Sequence, residues 1–310
     1  MCSSIAQPQI SVIVPSGRPE MVRMTIEALT EQQCDSNCYE VLLVTPFAKE
    51  AKQVPSQSVR IVEVEKLYSP GRMRNIGARE ARGDVLAFID DDCVPPVDWL
   101  KHTVRRLKQS KNNGAVGCRL VCGERTFLNR CADYSLFAAY QYRESRMIAL
   151  GSAALIVRRQ AFEAAGGFDE HLLASEDWDF SLRLQEKGWY CFFDAKVEVH
   201  HYHGRGHIVS ILKSAYLSGY RSGLVVQRRH HSSLSWLARL SVSLGTPWLY
   251  WLLIIPYSLA LTAVQGIDNL RDEPSAVLFL PMVFLSRCSY HIGVWIRLLQ
   301  DNERTQKVSS

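Results

Sequence analysis

The sequence lacks any run of five or six charges of one sign, and its basic residues form no concentrated cluster. Its formal net charge is only +5 over 310 residues. Because nucleic-acid binding depends largely on clustered lysine and arginine, this scattered charge argues against a nucleic-acid partner. The sequence also contains no internal repeat and no low-complexity linker, whereas 47% of its residues are hydrophobic. We therefore expect a folded chain with a sizeable core.

Two further absences concern the cellular compartment. The nine cysteines are odd in number and scattered, which is not the pattern of a secreted disulfide framework. The first ten residues, MCSSIAQPQI, hold neither a basic region nor an apolar stretch of signal-peptide length. Both observations favour a reducing compartment on the cytoplasmic side.

Long apolar runs occur toward the C-terminus. Residues 240–267 carry no charge, and about 20 apolar residues are enough to cross a bilayer. A second run, residues 276–296, contains Arg287, which would cost roughly 2.5–3.5 kcal/mol at the centre of a span. More arginines precede the first run than follow it, so the N-terminal part is expected on the cytoplasmic face of the cell membrane. We predict a membrane-associated helical region over residues 226–310, with buried core helices as the alternative.

The N-terminal part alternates short apolar runs with amphipathic stretches. Four of the runs are strand-like in length and β-branched content: residues 10–15, 41–44, 60–64 and 85–89. The stretches between them have helical spacing, and Gly83 is expected to end one of these helices. This order predicts an α/β domain over residues 1–225, with a mixed, mostly parallel, Rossmann-like sheet flanked by helices.

Three consecutive carboxylates, Asp90 to Asp92, follow the last of these strand-like runs. Parallel sheets bind ligands at the carboxyl ends of their strands. If the backbone stays extended, Asp90 and Asp92 project to one side and Asp91 to the other. Two carboxylates that face one point repel unless a cation lies between them, and such oxygen ligands suit Mg²⁺ or Mn²⁺. The alternative, a helix cap, needs only one acid, and Asp98 is better placed to supply it.

Four segments together carry a resemblance to a known family. They are residues 10–20 (ISVIVPSGRPE), 71–100 (GRMRNIGAREARGDVLAFIDDDCVPPVDWL), 151–170 (GSAALIVRRQAFEAAGGFDE) and 175–189 (SEDWDFSLRLQEKGW). In this order they resemble the family 2 nucleotide-sugar glycosyltransferases of the GT-A fold. The resemblance implies a GT-A catalytic domain, a nucleotide-diphosphate sugar as the donor, and a divalent cation, Mn²⁺ or Mg²⁺, as the cofactor.

The same resemblance implies roles for individual residues. The metal ligands that it assigns are Asp92, Asp90 and His203, the last chosen among the histidines of residues 200–207 (HHYHGRGH). A solvent-facing turn is the alternative for these histidines. The residues assigned to donor binding are Pro15, Ser16, Arg18, Arg74, Asn75, Asp90, Asp91 and Arg205.

The pair Glu176 and Asp177 matches the Glu-Asp pair of the family, in which the second acid is the general base. One carboxylate within hydrogen-bond reach can remove the proton of an acceptor hydroxyl. Asp177 is therefore expected to be the catalytic base, with Glu176 beside it, and Ser152 is expected to border the acceptor cleft. The alternative is that the acids complement the positive end of a helix that begins with a capping box, SEDW, at Ser175.

The predicted reaction is the inverting transfer of one sugar to a lipid-linked or membrane-proximal acceptor, in the synthesis of cell-envelope glycans. The chain departs from the family at Thr45 and Pro46, where many members carry an acid that contacts the base. The glutamine- and tryptophan-containing motif of processive synthases is also missing. Two alternatives stay open: a catalytically silent membrane scaffold, and a sugar nucleotidyltransferase, although VPSGRPE has only one glycine for a phosphate loop.

Overall fold

The computed structural model describes residues 8–34, 38–51, 59–137, 144–147, 149–228, 247–269 and 272–309. The chain forms two compact units. The first unit consists of residues 1–123 and 141–203, and the second consists of residues 124–140 and 204–310. The predicted domain boundary near residue 225 stays a prediction, because compact units need not coincide with functional domains.

A nine-stranded mixed sheet forms the centre of the first unit. Its strands are β1 (Ile10–Pro15), β2 (Tyr39–Thr45), β3 (Val59–Glu63), β4 (Val85–Ile89), β5 (Cys93–Val94), β6 (Asn113–Cys122), β7 (Ser145–Arg146), β8 (Ala154–Arg158) and β9 (Tyr190–His201). They follow the order β3-β2-β1-β4-β8-β6-β9-β5, and β7 pairs with β9. The strands β1 to β4 pair in parallel, whereas β8 runs antiparallel to both its neighbours. The predicted mixed, mostly parallel sheet is confirmed.

The helices of the first unit follow the strands in alternation. They are α1 (Val22–Thr30), α2 (Ala48–Ala51), α3 (Pro70–Glu80), α4 (Trp99–Lys108), α6 (Arg159–Ala165) and α7 (Glu176–Glu186), whereas α5 (Phe127–Leu136) belongs to the second unit. The start of α3 is capped by Ser69, whose side chain accepts a hydrogen bond from the Arg72 N–H. Pro70 occupies the first turn, where its missing N–H costs nothing.

The predicted role of Gly83 as the end of this helix is wrong. The helix α3 ends at Glu80, and Ala81 is already extended. Gly83 instead lies against β1, where a Cβ atom would come within 2.7 Å of the carbonyl carbon of Ile10. The glycine therefore permits a close backbone approach and does not terminate the helix.

Four phenylalanines join β4 to α7 in the core of the first unit. The ring of Phe88 in β4 lies 5.3 Å from that of Phe168, which lies 4.6 Å from Phe180 in α7. Phe162 contacts all three rings. Because the acidic triad follows β4 and the Glu-Asp pair begins α7, this aromatic cluster fixes the two acidic segments relative to each other.

The second unit is helical. Besides α5 it contains α8 (Ile208–Arg228), α9 (Pro247–Asn269), a 3₁₀ helix (Pro274–Phe279) and α10 (Leu280–Ser309). Helices α8 and α10 cross closely, because a Cβ atom at Gly219 would lie 1.9 Å from the carbonyl oxygen of Tyr290. A Cβ atom at Gly293 would likewise lie 2.2 Å from the carbonyl oxygen of Tyr216. The backbones approach this closely only because both positions are glycine.

The C-terminal helices carry the predicted membrane spans. The segment Pro274–Gln300 is long and apolar enough to cross a bilayer by length and composition, and 39% of its apolar window is buried. Trp251–Ile267 is a shorter apolar helix. The beginning of the first predicted span, residues 240–246, lies outside the described residues. One such helix is weak support for membrane association, because the core helix of a soluble protein passes the same test.

Candidate active site

The acidic triad forms a turn and does not continue β4. The strand ends one residue before Asp90, and the Cys93 N–H donates to the Asp90 carbonyl over 3.1 Å. The predicted extended alternation through the triad is therefore wrong. In this turn Asp91 and Asp92 both bind the guanidinium of Arg18. Its Nη2 donates to each carboxylate, over 2.8 Å in the case of Asp92.

Burial and charge shift the pKa values of these two acids in opposite directions. Burial raises the pKa of Asp91, and the hydrogen bonds from Arg18 and from Ser16 Oγ, the latter 2.9 Å long, only partly offset it. Burial would also raise the pKa of Asp92, but His201 and Arg18 outweigh burial and hold that pKa below its ordinary value. The loop after β1 thus contacts the acidic turn directly, and Asp92 is kept ionised.

A buried arginine links the acidic turn to α7. Arg74 of α3 is 2% exposed, and its guanidinium donates to Asp90 over 2.6 Å and to Glu176 over 2.9 Å. Burial alone would lower the pKa of Arg74, but the charges of Asp90 and Glu176 raise it. A buried charge is tolerated only when it is paired, so this contact holds three charged groups in one place.

The neighbouring Asn75 makes a different contact. Its amide nitrogen donates to the Phe168 carbonyl over 2.9 Å and to Glu170 over 3.0 Å. Its amide oxygen accepts a hydrogen bond from the Phe168 N–H. The side chain therefore holds the loop that leads toward α7, and its place in a nucleotide pocket stays a prediction.

Asp177 lies in the first turn of α7, with both carboxylate oxygens bonded to backbone N–H groups. The donors are Trp178, at 2.8 Å, and Ser152, at 3.3 Å. Burial raises the pKa of Asp177 to about 6, the negative charge of Glu176 adds to this effect, and Arg74 opposes it. A carboxyl group that titrates near neutral pH is suited to proton transfer.

The predicted capping box at the start of α7 is not formed. Ser175 adopts a left-handed backbone conformation with a φ of 59°, and its side chain makes no capping hydrogen bond. This conformation costs a non-glycine residue about 1–3 kcal/mol and is found mainly where the surroundings impose it. The acids in the first turn of α7 still complement the positive end of the helix, so the electrostatic alternative and a catalytic role are compatible.

Strand β9 brings a histidine to the acidic turn. Cys93 of β5 pairs with His201 of β9, and Nε2 of His201 lies 3.3 Å from Oδ1 of Asp92. One ligand atom from each of Asp92, Cys93 and His201 lies within 4.8 Å of the others, and all three residues are buried. The ring centroid of His203 lies 5.3 Å from that of His201. The sequence pattern offered His201 as one of the histidines of residues 200–207 but favoured His203, because only the register between β5 and β9 distinguishes His201 from the others.

The structure thus joins most of the predicted residues through direct contacts in the first unit. These are Ser16, Arg18, Arg74, Asp90, Asp91, Asp92 and Glu176. Pro15 ends the adjacent strand β1. Arg205 belongs to the second unit, where its Nε donates to Ser214 over 3.1 Å and its guanidinium lies 5.1 Å from the Phe137 ring. Its contact with a diphosphate stays a prediction.

Comparison with known proteins supports the resemblance found in the sequence. The family model described as "Glycosyltransferase like family 2" matches residues 12–226, which is more than half of the chain. The O-antigen biosynthesis protein RfbC of Myxococcus xanthus is 28% identical over 209 residues, which cover 58% of this chain and 16% of RfbC. The glycosyltransferase AglE of Haloferax volcanii is 28% identical over 198 residues, which cover 59% of this chain and 63% of AglE. The chain therefore spans less than two thirds of the length of these relatives.

Solved structures share the fold. The mannosyltransferase PcManGT from Pyrobaculum calidifontis, solved in complex with GDP-Man and Mn²⁺, has a TM-score of 0.61 and 19% identity, and the match covers 95% of this chain and 88% of that one. GalNAc-T7, solved with UDP, GalNAc and Mn²⁺, has a TM-score of 0.52 and 14% identity, over 82% of this chain and 57% of that one. These similarities confirm the predicted GT-A fold.

Proposed function

We propose a reaction for this chain, which belongs to the glycosyltransferase-like family 2: the transfer of one sugar from a nucleotide-diphosphate sugar to an acceptor hydroxyl. The transfer inverts the anomeric centre, depends on a divalent cation, and uses an acceptor that is linked to a lipid or held near a membrane. The observation that carries this proposal is the path of ion pairs from the partly exposed Asp90 through the buried Arg74 to the buried Glu176.

This path supports a transferase because the reaction needs negative groups at two places. One set must hold the cation and the donor, and a separate carboxylate must accept the proton of the acceptor. Arg74 holds the acidic turn and the start of α7 together while its charge keeps the acids from repelling one another.

The proposed step is a single displacement in which Asp177 is the base. The oxygen of the acceptor forms a bond to the anomeric carbon, while the bond from that carbon to the diphosphate oxygen breaks. The proton of the acceptor hydroxyl moves to Asp177, and the bonding electrons leave with the diphosphate. One displacement from the opposite face inverts the configuration. The backbone N–H groups of Ser152 and Trp178 hold the Asp177 carboxylate in place and leave further lone pairs on its oxygens.

Asp92 and His201 fit a divalent cation. Nε2 of His201 and Oδ1 of Asp92 lie 3.3 Å apart on buried side chains, so together they would offer one ion an imidazole nitrogen and a carboxylate oxygen. Asp92 is buried and ionised, as a ligand must be. When bound, such a cation neutralises charge that develops on the departing diphosphate. Arg18 can keep its bond to Asp91 while Asp92 binds the ion.

The loop after β1 is proposed to bind the donor together with the acidic turn. Ser16 and Arg18 already contact Asp91, and the guanidinium of Arg18 is half exposed and therefore accessible to a ligand. A guanidinium can bind a diphosphate through two parallel hydrogen bonds. The pKa of Arg18 would be lowered by burial but is raised by Asp91 and Asp92, so this side chain stays charged.

The proposed acceptor is placed at a membrane because of the surface of the second unit. Exposed apolar side chains recur along α9 at helical spacing: Trp251, Leu252, Ile255, Leu259 and Ile267. A contiguous exposed apolar face is favoured by a bilayer and disfavoured by water. Together with the distribution of arginine, this face supports the cytoplasmic side of the cell membrane and a lipid-linked or membrane-proximal acceptor, as in cell-envelope glycan synthesis.

Paired substitutions test this proposal. Nucleoside diphosphates should raise the unfolding temperature only when Mn²⁺ is present. In Asp177→Asn the affinity for the nucleoside diphosphate should stay within about twofold of the wild-type affinity, because the base is not a metal ligand. Release of the diphosphate from sugar donors, measured in the presence of membrane lipid, should be abolished, since the substitution removes the base. Asp92→Asn should weaken both. Asp98→Asn, an acid at the exposed start of α4, is the matched control and should change neither.

Two outcomes would contradict the proposal. Equal loss of diphosphate binding in Asp177→Asn and Asp92→Asn would remove the division of roles between base and metal ligand. A flat thermal response to every diphosphate, with and without Mn²⁺, would instead favour a silent scaffold.

A further inference from the structure

A cavity with a mixed polar and apolar lining lies in the helical second unit, and none of the residues assigned to sugar transfer lines it. Its volume is about 200 Å³, and its lining includes Ser135 of α5, Ser218 of α8, and Ser286, Arg287 and Tyr290 of α10. One water molecule in the liquid occupies about 30 Å³, so this space is large enough for a tetrahedral oxyanion. The cavity combines one cation with several hydroxyl groups.

Two of these hydroxyls are buried without a hydrogen bond. Ser286 is 2% exposed, and its Oγ has no partner among the described residues. The Oγ of Ser135 is in the same condition within the described part of the chain. A buried hydroxyl that makes no hydrogen bond costs about 1–3 kcal/mol. Two such groups on the wall of one cavity indicate an acceptor-rich ligand inside it.

Arg287 brings a positive charge to the same wall. Its Nη2 bonds to Oε1 of Gln265 in α9, and Nε2 of Gln265 donates to the carbonyl of Tyr134 in α5 over 3.3 Å. This chain of contacts orients the guanidinium between three helices. An arginine in an apolar helix is costly, and its planar donors match the oxygens of a phosphate. The ligand that these groups would select is therefore anionic as well as rich in acceptors.

We propose that this cavity binds a phosphoryl group that is carried by a membrane lipid. Arg287 supplies the charge, and the hydroxyls of Ser135 and Ser286 donate to the phosphoryl oxygens. A lipid is favoured over free phosphate because Ser286, Arg287 and Tyr290 of the lining belong to the apolar segment Pro274–Gln300, and this segment also exposes Val277, Leu278 and Leu285. Acyl chains would find apolar surface next to the bound headgroup. This binding site goes beyond the proposed transfer and does not depend on it.

Calorimetric titration of the full chain in a neutral detergent tests the proposal, with dioctanoyl phosphatidic acid as the probe. The wild-type chain should bind the probe, Ser286→Ala should weaken binding about tenfold, and Arg287→Gln should abolish it. Ser258→Ala is the matched control, because Ser258 is also fully buried, its Oγ also lacks a partner among the described residues, and it does not line the cavity. Its affinity should equal that of the wild type.

The unfolding temperature separates lost binding from lost folding. Ser286→Ala removes a hydroxyl that has no partner in the described residues, so the unfolding temperature without lipid should not fall. Equal affinity of the wild type and Ser286→Ala would overturn the site. Binding of dioctanoylglycerol as tight as that of the phosphatidic acid would overturn the phosphoryl group as the ligand. Binding of inorganic phosphate as tight as that of the phosphatidic acid would overturn the lipid as its carrier.

Discussion

Arg74 and Glu176 form a buried ion pair in which Nη1 lies 2.9 Å from Oε1. The other terminal nitrogen of Arg74 bonds to Asp90. Removal of the arginine would therefore leave two acids facing each other without a cation between them. Because the removal of one partner of a buried pair leaves an uncompensated charge, this side chain contributes far more than a surface arginine does.

The first prediction concerns the stability that this arginine confers. Arg74→Met should lower the free energy of unfolding by about 3–5 kcal/mol, measured by urea denaturation. The matched control is Arg79→Met on the same helix. Arg79 also pairs with an acid, with its Nη1 3.6 Å from Oε1 of Glu170, but its side chain is 63% exposed. That variant should stay within about 1 kcal/mol of the wild type. Equal effects of the two substitutions would contradict the buried network.

Much of the parallel half of the sheet could be predicted from the sequence. Strands that are covered on both faces consist of unbroken apolar runs, and β1 and β4 agree with residues 10–15 and 85–89 as predicted. The order of four segments along the chain also indicated the family. These signals are local in sequence, or depend on order alone, and so they need no knowledge of long-range pairing.

The geometry of the site could not be predicted in the same way. The backbone turns at Asp90 to Asp92, so the side chains do not alternate sides as they would in an extended strand. No local sequence pattern predicts this turn. The contact between Asp92 and His201 depends on the register of β5 against β9, which joins residues over 100 positions apart in sequence. Long-range register of this kind is set by packing, and a sequence with several adjacent histidines offers no way to choose among them.

The second prediction concerns pH. Burial and the charge of Glu176 raise the pKa of Asp177 to about 6. A general base must be deprotonated, so kcat/KM should rise as the pH increases through about 6 and level off above it. Because Glu176 contributes to the raised pKa, Glu176→Gln should lower the pKa of Asp177 and move this limb to lower pH. Carbon-13 NMR of labelled aspartate carboxyls would follow the same titration independently of activity.

A control for the pH experiment uses stability. A carboxyl group whose pKa is raised by folding destabilises the native state when it loses its proton, so its cost grows as the pH rises from its unfolded pKa to its folded pKa and stays constant above that. Asp177→Asn, which removes that charge, should therefore be no less stable than the wild type at pH 8. A large loss of stability in this variant would mean that the carboxylate is needed for folding, and its loss of activity would then say nothing about catalysis.

The third prediction distinguishes the two histidines. Nε2 of His201 lies 3.3 Å from Asp92, whereas His203 was the residue predicted from the sequence. His201→Asn should weaken Mn²⁺ binding at least about tenfold, measured by titration calorimetry with a saturating nucleoside diphosphate. His203→Asn should change the affinity by less than about threefold, since it leaves the Asp92 contact intact. The reverse order of effects would restore His203 as the ligand.

The fourth prediction concerns the close crossing of α8 and α10. A methyl group at Gly219 would meet the carbonyl oxygen of Tyr290 at 1.9 Å, and backbone cannot give way as a side chain can. Gly219→Ala should therefore separate the helices and lower the free energy of unfolding by about 1–3 kcal/mol or more. Gly266→Ala in α9 is the matched control, because its methyl group would meet only the flexible end of Leu280. In that variant the better helix propensity of alanine, worth up to about 1 kcal/mol, should offset the contact.

Hydrogen exchange of α8 and α10 in detergent would measure the difference, with faster exchange expected for Gly219→Ala alone. Unchanged exchange in Gly219→Ala would mean that the two helices do not depend on this glycine for their packing.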